Sequence, residues 1–191
     1  CHWLMHEGGM RSHFKRADLF SLIIAACAHD FDHPGTTNAF QVASGSDLAV
    51  LYNDRAVLEN HHAAGTFRIM QEEKCDILSG LSQRQRSIHR KLIIDLILAT
   101  DLSSHFELVG QFKTMIKARA YDESNEDDRM LLLKMVLKCG DISNPAKPYD
   151  VMRKATECYF TECYLQGDKE RAMGMPVSAF MDREAKCEAK C

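Results

Sequence analysis

The 191-residue chain has only four prolines and ten glycines, so turn signals are sparse and long stretches run uninterrupted. Convincing alternation of polar and apolar residues is also missing, which removes the main signal for half-buried strands. The longest apolar run, around Leu22 to Cys27, is too short to span a bilayer, and no signal peptide is visible. A formal net charge of −3 leaves no cationic surplus of the kind that binds nucleic acid or anionic membrane. The eight cysteines include no C-x-x-C pair, and several fall inside helical patterns. They read as reduced thiols of a cytosolic protein, not as a disulfide framework. Repeats, low-complexity tracts and linkers are absent too, and the length makes residues 1–191 a single domain.

What remains is an ordinary soluble composition, 46% hydrophobic and 27% charged, patterned for helix. Helices are expected over 17–29, 46–52, 56–71, 82–100, 103–118, 130–138 and 151–164, and the charged tail 182–191 is compatible with one. Leu19, Leu22, Ile23, Ala26 and Cys27 read as the buried stripe of the first. Ile88, Leu92, Ile93, Leu96 and Ile97 read as that of the fourth, and Phe106, Val109, Phe112 and Ile116 as that of the fifth. The acidic stretch 121–128 reads as a surface loop or helix cap. The fold class that follows is all-α, a multi-helix bundle.

Two imidazoles and two carboxylates crowd into His29-Asp30-Phe31-Asp32-His33, directly after the first helix, and Pro34-Gly35 then turns the chain away. A buried His beside an Asp often does no more than hold a core together. Here Asp141 follows a second apolar helix, so its carboxylate could meet His29 and Asp30 across a bundle. One nitrogen and two oxygen ligands suit zinc, manganese or iron, and a bridging carboxylate would let a second site take magnesium. Glu59 and His62 are three residues apart and share a helix face, so carboxylate and imidazole can point together at a metal-bound water. A solvated ion pair is the plainer account of such a pair. Thr100-Asp101 ends an apolar helix and by itself suggests a cap or turn.

Five motifs in order, His29-Asp-x-x-His33-Pro-Gly, Tyr52-Asn-Asp with Leu58-Glu-Asn-His-His62, Leu98-Ala-Thr-Asp101, Asp141-Ile-Ser-Asn-Pro145 and Gln166-Gly-Asp168, carry a resemblance. The chain resembles the class I cyclic-nucleotide phosphodiesterases over most of its length. The resemblance implies an all-helical catalytic domain with two divalent metal ions, zinc in the tighter site and magnesium or manganese in the other. It implies His29, Asp30 and Asp141 as metal ligands, with Asp30 bridging. His33, Glu59 and Thr100 would hold metal-bound waters, supported by His62 and Asp101. A cyclic nucleotide would be the substrate and regulatory domains would lie outside the chain.

The family's upstream His-Asn-x-x-His motif, source of the general acid, is absent, and His2 and His6 do not replace it. The segment from Pro176 to Asp182 resembles the one leading to the family's purine-clamping glutamine, which lies beyond Cys191. These 191 residues alone are therefore expected to hydrolyse weakly or not at all. Asn144 resembles the cAMP-preferring families, where such an amide faces adenine. Leu102, Tyr159 and Pro145 would line the base pocket, and Ala155 stands where many relatives have Trp. Competing readings are another His-Asp phosphohydrolase, against which Leu-Glu-Asn-His-His and Ser-Asn-Pro argue, and an inactive metal-binding or scaffolding module.

Overall fold

The computed structural model describes residues 1–118 and 121–184, and among these all regular structure is helical. The α-helices are α1 (His2–His6), α2 (Arg16–Ala28), α3 (Asn38–Ala43), α4 (Asp47–Leu51), α5 (Val57–Ile69), α6 (Gln83–Leu98), α7 (His105–Ala118), α8 (Glu126–Asp141) and α9 (Tyr149–Ala172). Among the described residues no helix is long and apolar enough to cross a membrane. The six described cysteines are free thiols; Cys187 and Cys191 lie outside the described residues. The same holds for most of the charged tail considered as a helix, of which only 182–184 are described, Arg183 and Glu184 in a turn.

The chain forms two units: Cys1–Asp32 with Leu58–Ser143, and His33–Val57 with the residues from Asn144 onward. In the first, α6 supplies the centre of the core through Leu92, Ile93, Leu96 and Ile97. Leu22 and Ala25 of α2, Ala63 and Phe67 of α5, and Leu132, Leu133, Val136 and Leu137 of α8 close around it. Each buried Leu or Ile contributes roughly 1.5–3 kcal/mol, so this cluster is the main source of the unit's stability. The start of α6 is fixed by a reciprocal cap. Ser82 Oγ accepts from the Gln85 N–H at 3.4 Å and Gln85 Oε1 accepts from the Ser82 N–H at 3.0 Å.

Three sequence readings of buried faces need correction. On α2 the buried residues are Asp18, Ser21, Leu22 and Ala25, while Ile23 and Cys27 are exposed. The helix is apolar nearly all round, so hydrophobicity could not choose its face. A buried polar contact did: Ser21 Oγ stands 2.8 Å from His89 Nδ1 on α6. Ile88 is accordingly turned outward and His89 inward. On α7 Leu108 and Met115 are buried and Phe112 packs against the core, whereas Phe106 and Ile116 are exposed.

Two helices are longer than expected. α8 begins at Glu126 because Asn125 caps it, accepting from the N–H groups of Asp127 and Asp128. Glu126, Asp127 and Asp128 then occupy the first turn, where the helix dipole favours negative charge. The acidic stretch is thus a loop only as far as the cap. In the second unit, α9 runs past Tyr164 to Ala172 despite Gly167. That glycine serves packing: a Cβ there would collide with the Met181 carbonyl oxygen. Its neighbours complete the motif. Gln166 is buried and bonds Thr37 and Glu170, and Asp168 accepts both arms of the Arg183 guanidinium.

Candidate metal centre

The first unit gathers one ligand-like cluster among the described residues, His29, Asp30 and Asp141, with one donor atom from each within 4.8 Å of the others. His29 caps the C-terminus of α2. Its Nδ1–H donates to the Ala26 carbonyl at 3.0 Å, which leaves Nε2 to face the carboxylates. Nε2 lies 3.3 Å from Asp30 Oδ2 and 3.4 Å from Asp141 Oδ1, the last residue of α8.

These separations fit a shared cation. Two donors each about 2.1 Å from one ion stand roughly 3.0–3.4 Å apart for octahedral to tetrahedral angles. Without a cation, the proton on His29 takes that role. Its hydrogen bond to Asp141 outweighs burial and, with the Asp30 charge and the Ala26 carbonyl, lifts the imidazole pKa from 6.5 to about 9. The donor set is therefore built for positive charge, whether a proton or a metal. Asp30 is the most exposed of the three, its side chain 65% accessible.

The short segment carrying His29 and Asp30 is clamped by α5. His62, buried, donates from Nδ1 to the Phe31 carbonyl at 2.6 Å, and His61 Nε2 pairs with Asp32 Oδ2 at 2.8 Å. Asp32 adopts a left-handed backbone, φ 58°, which Asp tolerates better than most side chains. The Cδ1–Cε1 edge of the Phe31 ring also stands against α5 at Gly65, where a Cβ would come within 2.8 Å of both of these carbons. Gly65→Ala is therefore expected to destabilise by about 1–3 kcal/mol. Helix propensity alone would make the same change stabilising by about 1 kcal/mol. Urea denaturation decides between the signs, and a rise in midpoint would show that the Phe31 ring yields freely.

The other site candidates stand as follows. Thr100 is buried, its hydroxyl donating to the Ile97 carbonyl at 2.7 Å. Asp101 caps the following 3₁₀ turn, accepting from Ser103 N–H and Oγ at 2.8 and 2.7 Å. Leu102, next to it, is exposed. Glu59 sits in the first turn of α5, close enough to Lys138 for their charges to interact. His33, Asn144 and Tyr159 belong to the second unit and are exposed. There His33 Nδ1 accepts from the Gly35 N–H at 3.1 Å, and Asn144 Oδ1 accepts from Lys147 Nζ at 3.0 Å.

Sequence reasoning missed His61, Asp32, Gly65 and Lys138. The first two lie inside motifs already noted, so only their pairing was hidden. Lys138 gave no signal that separates it from Lys134 one turn earlier, yet it is 2% exposed. Its ammonium meets the carbonyls of residues 100 and 101, a contact with a distant segment that the spacing along α8 does not encode.

A family model described as 3'5'-cyclic nucleotide phosphodiesterase matches residues 1–191. Three curated proteins of Drosophila melanogaster, a 3',5'-cyclic-AMP phosphodiesterase and forms of it designated isoform F and isoforms N/G, are each 40% identical over 186 residues. The match covers 94% of this chain but only 28%, 19% and 17% of isoform F, isoforms N/G and the third protein. The chain thus spans less than a third of the length of these relatives.

Proposed function

The chain belongs to the 3'5'-cyclic nucleotide phosphodiesterase family, and we propose that the protein containing it hydrolyses a 3',5'-cyclic nucleotide, cyclic AMP ahead of cyclic GMP, to the nucleoside 5'-monophosphate. The observation that carries this reading is the His29, Asp30 and Asp141 donor cluster, whose spacing fits a divalent cation. Family membership carries dependence on divalent metal; zinc in the tighter site and magnesium or manganese beside it are the proposed ions. When bound, such ions neutralise the phosphodiester anion and lower the pKa of an attacking water.

The chain's own residues divide the remaining work. His29 Nε2 and the carboxylates of Asp30 and Asp141 would hold the ions at the C-terminal ends of α2 and α8, with Asp30 proposed as the ligand that serves both. His62, through the Phe31 carbonyl, keeps the ligand segment in place. Glu59, His33, Thr100 and Asp101 are proposed to orient waters there, accepting their protons in hydrogen bonds. Water, giving up a proton to a neighbouring acceptor, attacks phosphorus in line with the 3' oxygen, the P–O3' bond breaks, and the leaving oxygen takes a proton from a general acid.

Asn144 is proposed to face the base. Its amide can donate to N7 of adenine and accept from the 6-amino group, a pair that guanine does not offer. The printed names of the relatives support cyclic AMP. Leu102 and Tyr159 would contact the purine. The relatives extend far beyond the matched region, so regulatory segments outside this chain are part of the proposal.

The deciding experiment uses the longer protein that contains this chain, stripped with chelator and reloaded with zinc and magnesium. Hydrolysis is expected to return with the metals, and kcat/KM for cyclic AMP to exceed that for cyclic GMP by roughly tenfold or more, the scale of discrimination that a few placed hydrogen bonds supply. A reloaded protein that binds cation and leaves both nucleotides intact would instead be a binding module.

A further inference from the structure

Lys138 is buried to 2% exposure on α8, one turn before Asp141 and next to the core residues Val136 and Leu137. An ammonium in such a place is costly unless opposite charge and acceptors surround it. Its acceptors are the carbonyl oxygens of Thr100 and Asp101, at 3.5 and 3.4 Å. Those two carbonyls follow Ala99, the C-cap of α6, where the helix dipole is negative. Three carboxylates add to this. Burial pushes the Lys138 pKa down, and the charges of Asp141, Asp101 and Glu59 oppose that shift. The ammonium is thus where the end of α6, the first turn of α5 and the last turn of α8 converge, and each of these elements carries a candidate site residue.

We infer that Lys138 is a positioning residue of the metal centre: its ammonium binds the Thr100 and Asp101 carbonyls to α8 and so fixes where Thr100 and Asp101 stand relative to Asp141. The inference rests on the function proposed above. Space filling alone does not require a lysine here, since methionine matches its stem in length and avoids the buried charge. The ammonium contributes two things methionine lacks, donors for the carbonyls and one positive charge beside an acidic cluster. That charge also limits how strongly the cluster attracts cations.

The test compares Lys138→Met and Lys138→Gln with the unsubstituted form, all in the longer protein. Manganese binding to the metal-stripped protein is followed by electron paramagnetic resonance, and kcat and KM for cyclic AMP are measured after reloading. Lys138→Met is expected to bind Mn2+ about tenfold more tightly, because one nearby positive charge is gone. Its kcat is expected to fall tenfold or more with KM changed less than about threefold, because the corner at residues 100 and 101 is released. Lys138→Gln keeps a donor for the carbonyls without the charge. It is expected to recover most of kcat and to retain the tighter Mn2+ binding.

A lysine that only fills the core would give a different pattern, with a lower denaturation midpoint but kcat per folded molecule and Mn2+ affinity unchanged in both variants. That pattern overturns the inference. Should Lys138→Met not fold, Lys138→Gln decides by the same two readouts. If the unsubstituted protein cleaves no cyclic nucleotide, the proposed function fails, while the Mn2+ shift still decides the role of Lys138.

Discussion

Asp141→Ala is expected to abolish useful metal binding and, with it, hydrolysis. The substitution leaves His29 and Asp30 as a two-donor pair, and it removes the largest contribution to the raised pKa of His29. Loss of a supporting residue behind a ligand already lowers metal affinity by about 10–100-fold, so loss of a direct ligand should cost at least the upper end of that range. Stability should fall as well in the metal-free protein near neutral pH, because Asp141 supplies the main support of the charged His29 imidazole and part of that of the Lys138 ammonium. The loss of affinity is therefore read below the urea concentration at which the variant unfolds. Zinc affinity is read by competition with a chromophoric chelator, turnover by release of 5'-AMP, and folding by the urea midpoint. Zinc affinity equal to that of the unsubstituted protein would remove Asp141 from the ligand set.

The largest expected effect on stability lies in the second unit, at Glu170. This carboxylate is 2% exposed and accepts from Gln166 Nε2 at 2.8 Å, the Ser178 N–H at 2.6 Å and Ser178 Oγ at 2.7 Å. Gln166 in turn accepts from the Thr37 N–H at 2.8 Å, so one network ties α9 to the cap of α3 and to the segment at Ser178. Glu170→Ala removes the acceptor of the Ser178 N–H and of one Gln166 Nε2 hydrogen, Nε2 keeping only its longer bond to Thr37 Oγ1 at 3.3 Å. Each unmet donor costs about 1–3 kcal/mol, and the expected loss is about 2–4 kcal/mol.

The same carboxylate sets a pH dependence. Burial alone would raise its pKa, but the Ser178 backbone N–H, the Gln166 amide and the Ser178 hydroxyl together hold it below the usual value of 4.5. A depressed carboxylate stabilises the fold in full above its unfolded pKa, and the contribution is lost as pH falls from there through the folded pKa. Urea midpoints measured from pH 6 down to 3 should therefore fall below about pH 4.5 in the native protein and fall less in Glu170→Gln. Parallel curves for the two proteins would show that Glu170 does not titrate with unfolding.

The three donors that come together in the candidate site were legible in the sequence. His29, Asp30 and Asp141 are named by residue type and by their places at helix ends, and His62 by its spacing from Glu59. The clamp on the ligand segment was not, because His61 and Asp32 are 29 positions apart and no periodicity links them. The buried face of α2 was misread for a related reason. Where apolar residues occur all round a helix, its own sequence contains no preferred direction, and the neighbours choose.

By itself, the sequence determined that the regular structure of the described residues is helical, where α6 starts, and which residue types could bind a cation. Those properties depend on spacings of three or four residues and on caps within one turn, which are local. The tertiary structure decided which faces are buried, which of two lysines one turn apart is enclosed, and that His29 Nε2 stands 3.4 Å from Asp141. Each of these depends on contacts between segments distant in the chain, and the energy of such a contact exists only once the core has brought them together.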